Sequence, residues 1–167
     1  MVTPSPDREA VGTLMRHVLE LLDGDVAAVY RDAGLPEYRP RFSPPIRALV
    51  AAGPMTIRDL ATAVGVTHSA ASQTVAQLTR AGLVELSPGT DARQRIVTLT
   101  GRARELLPVI EAEWAATAAA MRELDAELPM PLAGLLRAVE AALRDRPFRE
   151  RIQACLPDPP QAALENS

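Results

Sequence analysis

The chain has no lysine; all 18 of its basic residues are arginine. Genomic composition bias accounts for such usage. It still has a physical consequence, because arginine forks onto guanine edges and enters narrow minor grooves. The single cysteine, Cys155, excludes an internal disulfide and reads as a small buried apolar residue. Aromatic residues are only 3% of the chain against 47% apolar residues, so the expected core is aliphatic. No apolar run reaches the roughly 18 residues of a membrane-spanning helix. Met1 to Asp7 lacks the basic–apolar–small order of a secretory signal. A soluble, cytoplasmic protein without a membrane partner is expected. Chemistry is missing too. The two histidines, His17 and His68, have no HExxH or CxxC spacing around them, so neither a metal nor a cofactor is expected. No nucleophile–base pair, phosphate loop or paired carboxylates stand out, and the chain does not read as an enzyme.

What is present is unevenly distributed. The net charge is −3 over 167 residues, which suits one compact domain with two sub-regions. Residues 1–40 hold four arginines and seven acids, and residues 105–167 hold six and eleven. The middle, residues 41–104, holds eight arginines and three acids. A basic centre between acidic ends matters more than the total when the partner is a polyanion.

The pattern of apolar residues is helical from Val11 through Leu14, Val18, Leu22 and Val26 to Ala33, with Asp7 as a cap. Gly34, Pro36 and Pro40 end that helix, and Tyr38 to Phe42 reads as extended. Pro44-Pro45 opens a second helix, Ile46 to Ala52, which Gly53-Pro54 stops. Thr56-Ile57-Arg58-Asp59 resembles a capping box with Asp in place of Glu. Its helix turns Ile57, Leu60, Ala61 and Val64 inward and ends at Gly65. Val66 reads as an apolar plug, and Thr67 caps the next helix, His68 to about Ala81, which stops at Gly82. Leu83 to Leu86 and Arg95 to Leu99 read as two strands joined by turn residues from Ser87 to Asp91. Thr100 caps a long helix striped by Ala103, Leu106, Leu107, Ile110, Trp114, Ala118, Met121 and Leu124, bent at Pro108. Two further helices follow, one marked by Leu132 to Leu143 and a short one by Phe148 to Leu156. The expected fold is mainly α with a small β-hairpin: a winged helix-turn-helix plus N- and C-terminal dimerisation helices. Its parts are residues 1–52, N-terminal helices; 53–103, the DNA-binding lobe; 104–156, C-terminal helices; and 157–167, a disordered tail.

The helix from His68 carries the strongest functional signal. Ala71, Val75 and Leu78 should be buried. The opposite face presents His68, Ser69, Ser72, Gln73, Ala76 and Gln77, all small or hydrogen-bonding, with no acid among them. Such a face suits the major groove, with the positive end of the helix dipole near phosphates. Gln73 can make two hydrogen bonds to adenine. An ordinary solvated face would carry glutamate and lysine. In the wing, Asp91-Ala92-Arg93 can make a local ion pair that fixes the loop, and Arg93 or Arg95 can then reach a minor groove. Alone, that triplet is a surface pair worth under about 1 kcal/mol.

Ile57 to Ala61, Gly65-Val66-Thr67, the helix to Ala81-Gly82-Leu83-Val84, and Asp91-Ala92-Arg93 followed by Ile96 to Thr100 together resemble the MarR family, the multiple-antibiotic-resistance regulators. Order and spacing agree through residues 53–104; the outer helices agree in layout only. The resemblance implies a homodimer joined by its terminal helices and an inverted-repeat operator in double-stranded DNA. It places Ser69, Ser72 and Gln73 at the major groove and Arg93 at the wing tip; with the residues' own reading, the candidate DNA contacts are Thr67, His68, Ser69, Ser72, Gln73, Gln77, Arg93 and Arg95. It also implies a small, often aromatic effector between the lobes, for which Tyr30, Tyr38, Arg39, Arg41 and Trp114 are candidates. The resulting expectation is a repressor released by a ligand. The alternative is a winged-helix protein-interaction module that does not bind DNA, which the acidic ends leave open.

Overall fold

The computed structural model describes residues 10–89 and 94–157. Two compact units result, residues 1–117 and 118–167. The first contains α1 (Val11–Asp32), α2 (Ser43–Ala52), β1 (Met55–Thr56), α3 (Ile57–Val64), α4 (His68–Arg80), β2 (Val84–Pro88), β3 (Arg95–Leu99) and the start of α5 (Gly101–Glu127). Asp7, read as the first cap, lies outside the described residues. So do Asp91, Ala92 and Arg93 of the wing, and residues 158–167 of the expected tail.

Local chemistry explains most element ends. Gly34 and Gly53 take positive φ just past α1 and α2, a conformation that costs glycine no steric strain. Pro44 and Pro45 sit in the first turn of α2, where their missing amides lose nothing. The Thr56 side chain accepts the Asp59 amide at 3.1 Å and donates to Asp59 Oδ2 at 2.7 Å. The aspartate thus meets the threonine hydroxyl.

Three expectations need correction. Tyr38 to Phe42 is not simply extended: Pro40–Phe42 form a 3-10 turn, which aims Tyr38 and Phe42 into the core. Val66 is not a plug but 43% exposed, because the Gly65 left-handed cap turns the chain outward before α4. Thirdly, the core is not purely aliphatic. Tyr30, Tyr38 and Phe42 are all buried, with Tyr30–Tyr38 ring centroids 4.2 Å apart and Tyr38–Phe42 edge-on at 5.8 Å. Few as they are, the aromatics are concentrated where α1 ends, and such pairs add about 0.5–1.5 kcal/mol beyond the area they bury. Ile46, Leu60, Leu78, Val97 and Ile110 complete the centre.

The sheet has three antiparallel strands in the order β1-β3-β2. Val84 pairs with Leu99, Leu86 with Val97 and Pro88 with Arg95, so β2 runs two residues beyond Leu86. β1 adds Met55 opposite Val97 and Thr56 opposite Ile96. Thr100 joins the hairpin to α5: its hydroxyl donates to Gly82 O at 2.7 Å and accepts the Ala103 amide at 3.1 Å.

In the second unit, Asp125 accepts the Leu132 amide at 2.9 Å and closes the turn into α6 (Leu132–Asp145). Arg151 of α7 (Phe148–Cys155) donates to Arg146 O and Ala142 O. Neither α6 nor α7 buries a residue. Cys155 is therefore exposed rather than buried, since α7 packs no face inward. Among the described residues, no helix is long and apolar enough to cross a membrane.

Candidate nucleic-acid interface

α3 and α4 meet through Gly65-Val66-Thr67. Gly65 takes φ 75° as the left-handed cap of α3. Thr67 caps α4 by accepting the Ala70 amide at 3.2 Å. Ala71, Val75 and Leu78 are buried and lock α4 onto the core. His68, Ser69, Gln73 and Ala76 are exposed on the other face, and Ser72 and Gln77 are half-buried. Thr74 and Thr79 donate to backbone oxygens one turn back, at 3.0 and 2.9 Å, which occupies their hydroxyls. Among the described residues, the side chains of His68, Ser69, Ser72 and Gln73 have no partner, so their donors and acceptors are open to a ligand. The amides of the first turn of α4 add the positive end of the helix dipole. Arg95 is exposed at the start of β3, opposite Pro88.

The candidate effector residues fall in two places. Tyr30 and Tyr38 belong to the core, at 0% and 3% exposure. Trp114 is half-buried, with the Arg47 guanidinium 4.3 Å from its ring centroid, a cation–π contact. Arg39 and Arg41 instead line an open cleft of about 510 Å³ together with Glu37, Phe42, Gln77, Arg80, Ala81 and Arg102. Arg39 and Arg41 were candidates from the sequence; Arg80 and Arg102 were not, because they join them from the end of α4 and the start of α5.

A second feature also escaped sequence reading. Glu113 is buried at 8% exposure. Its carboxylate accepts the hydroxyls of Tyr30 and Thr117. Burial, and then donation to Glu113, push the Tyr30 hydroxyl well above the ordinary tyrosine value of 10.0. Burial raises Tyr38 as well. The sign of the consequence is definite. A folded-state value above the unfolded one means that the unfolded chain ionises first, so stability holds below pH 10 and falls as pH climbs past it. The chain holds no lysine and only two tyrosines. Unfolding free energies from urea titrations should fall above pH 10 by up to about 1.4 kcal/mol per pH unit for each raised tyrosine. Tyr30→Phe should remove one such slope; an unchanged slope would show that Tyr30 does not carry it.

Residues 46–94 match the sequence pattern of the MarR family. No curated protein matches the chain. Among solved structures, the PcaV transcriptional regulator from Streptomyces coelicolor in complex with its natural ligand is 18% identical, with TM-score 0.62, over 86% of this chain and 99% of that one. The M. tuberculosis transcriptional regulator MOSR in complex with DNA is 23% identical, with TM-score 0.60, over 80% and 97%. A MarR family transcriptional regulator from Streptomyces coelicolor is 24% identical, with TM-score 0.59, over 83% and 95%. At these identities the likeness shows the fold, and it extends over nearly the whole of each relative. Residues 46–94 thus carry a sequence pattern similar to that of the MarR family, and the chain shares the fold of these solved regulators.

Proposed function

We propose that the chain is a homodimeric, sequence-specific DNA-binding regulator of transcription, a repressor at an inverted-repeat operator that a small effector releases. The observation that carries this reading is the acid-free exposed face of α4, with unpartnered polar side chains at its N-terminal end. Base edges in the major groove require that combination. The solved relatives support it by analogy, one being bound to DNA and another to its natural ligand. A dimer is favoured by apolar side chains left exposed on single elements, such as Val11, Met15 and Leu19 of α1 at 53–61%. Two copies about 34–36 Å apart would reach successive major grooves on one face of a duplex.

The test is fluorescence anisotropy on the duplex flanking the chain's own gene, across a salt series. Gln73→Ala is expected to cost about 1–3 kcal/mol on the best site and to relax preference at one base pair. Arg95→Ala should weaken all sequences alike and lower the salt slope by roughly one. Absence of duplex binding at low salt, together with a salt-insensitive protein partner, would favour the interaction module instead.

A further inference from the structure

The geometry points to the arginine cleft as a binding site for a small organic polyanion that also carries a hydroxyl group. This names a ligand class for the effector in the reading above. The test does not involve DNA, so that reading stands or falls separately. Four arginines from three parts of the chain line this concavity: Arg39 and Arg41, Arg80 and Arg102. Among the described residues, Glu37 is the one acid of the lining, which gives these side chains a net charge of +3. Among the described residues, the one ion pair within 4.0 Å is Arg144–Glu140 on α6, so none of the four arginines has a carboxylate partner. Gathering four guanidinium groups around a single carboxylate costs repulsion that an anion would relieve.

The α4 dipole does not account for them. Arg80 alone answers the negative helix end, with Nε donating to Ala76 O at 3.4 Å. Arg102 is held against the bare backbone of Gly82, where a Cβ would come within 3.5 Å of its Nη1. A second, independent observation concerns Gln77, which lines the same cleft. Among the described residues, its Oε1 is buried and has no hydrogen-bond partner. An unmet buried acceptor is costly. A carboxylate cannot satisfy it, but a ligand hydroxyl can. The volume of the cleft suits a metabolite-sized ligand. A DNA backbone is a poorer fit, since Arg80 lies about 18 Å along α4 from the His68 end that faces the groove in the reading above.

Calorimetric titration of the full chain at constant ionic strength tests this with three probes: citrate, tricarballylate (citrate without its hydroxyl) and pyrophosphate. Citrate should bind saturably, and about fivefold tighter than tricarballylate through one extra hydrogen bond. Arg80→Gln with Arg102→Gln should weaken citrate roughly ten- to hundredfold, whereas Arg137→Gln on the exposed face of α6 should not. Tighter binding of pyrophosphate than citrate, lost in the same double variant, would support the polyanion site and identify phosphate as the anionic group. No saturable binding of any probe up to about 10 mM, or equal weakening by Arg137→Gln, would overturn the proposal. So would a double variant that leaves citrate binding unaffected.

Discussion

With Leu136 and Val139 both changed to aspartate, the chain should run as a monomer and bind its duplex at least about 100-fold more weakly. The expectation starts from α6, which presents Leu135, Leu136, Val139 and Leu143 at helical spacing, each 40–46% exposed, and buries none. Single exposed leucines are normal on a soluble surface, but a continuous stripe marks an interface. Burying each such side chain is worth about 1.5–3 kcal/mol. In a two-fold dimer every substitution counts twice, and each aspartate adds the cost of an unpaired buried charge. A half-site contact made by one lobe then loses the effective concentration that linkage supplies. Light scattering after gel filtration reads the mass, and anisotropy reads the affinity. Circular dichroism checks that the first unit, whose core lies elsewhere, still melts cooperatively. A variant that remained dimeric with unchanged affinity would remove α6 from the interface.

How much of this was legible in the sequence depended on whether the cause was local. Thr56, Gly65, Thr67 and Gly82 act within four residues of themselves on the chain, as does the cap that Thr100 makes to Ala103, and each stands at the element end it signalled. The inward set Ala71, Val75 and Leu78 follows from helical period alone, which is why the exposed face of α4 was readable. Long-range causes were not readable. β1 is two residues long and exists through pairing with Ile96 and Val97, some 40 residues on. The arginine cleft draws on Arg39, Arg80 and Arg102, whose spacing carries no period. Cys155 was assigned from what free cysteines usually do, while α7 packs nothing inward. Glu113 left a faint trace: it lies three residues after Ile110 on the buried stripe of α5, a polar residue at an apolar position. Its partner Tyr30 is 83 positions away.

That pair carries the other large effect. Tyr30→Phe should destabilise the chain by about 1.5–3 kcal/mol, and Tyr30→Ala by about 3–5 kcal/mol. The phenylalanine keeps the ring, 4.2 Å from Tyr38, and removes only the hydroxyl. What it leaves behind is a buried carboxylate oxygen with one donor fewer, and the cost is that of stranding it. The alanine empties a fully buried site as well, so a cavity cost is added. At roughly 2–4 °C per kcal/mol for a chain of this size, the alanine variant should melt about 6–20 °C lower at a fixed protein concentration. If stranding is the cause, removing both polar partners should recover stability. Tyr30→Phe combined with Glu113→Leu should therefore cost less than the two single changes added together. Thr117, the other donor to Glu113, can turn its hydroxyl to the backbone oxygen one turn back, as Thr74 and Thr79 already do. Urea unfolding of the four chains closes the cycle, with a coupling of about 1 kcal/mol or more expected. Strict additivity would mean that the Tyr30 hydroxyl and the Glu113 carboxylate stabilise the fold independently, and that the loss in Tyr30→Phe has another origin.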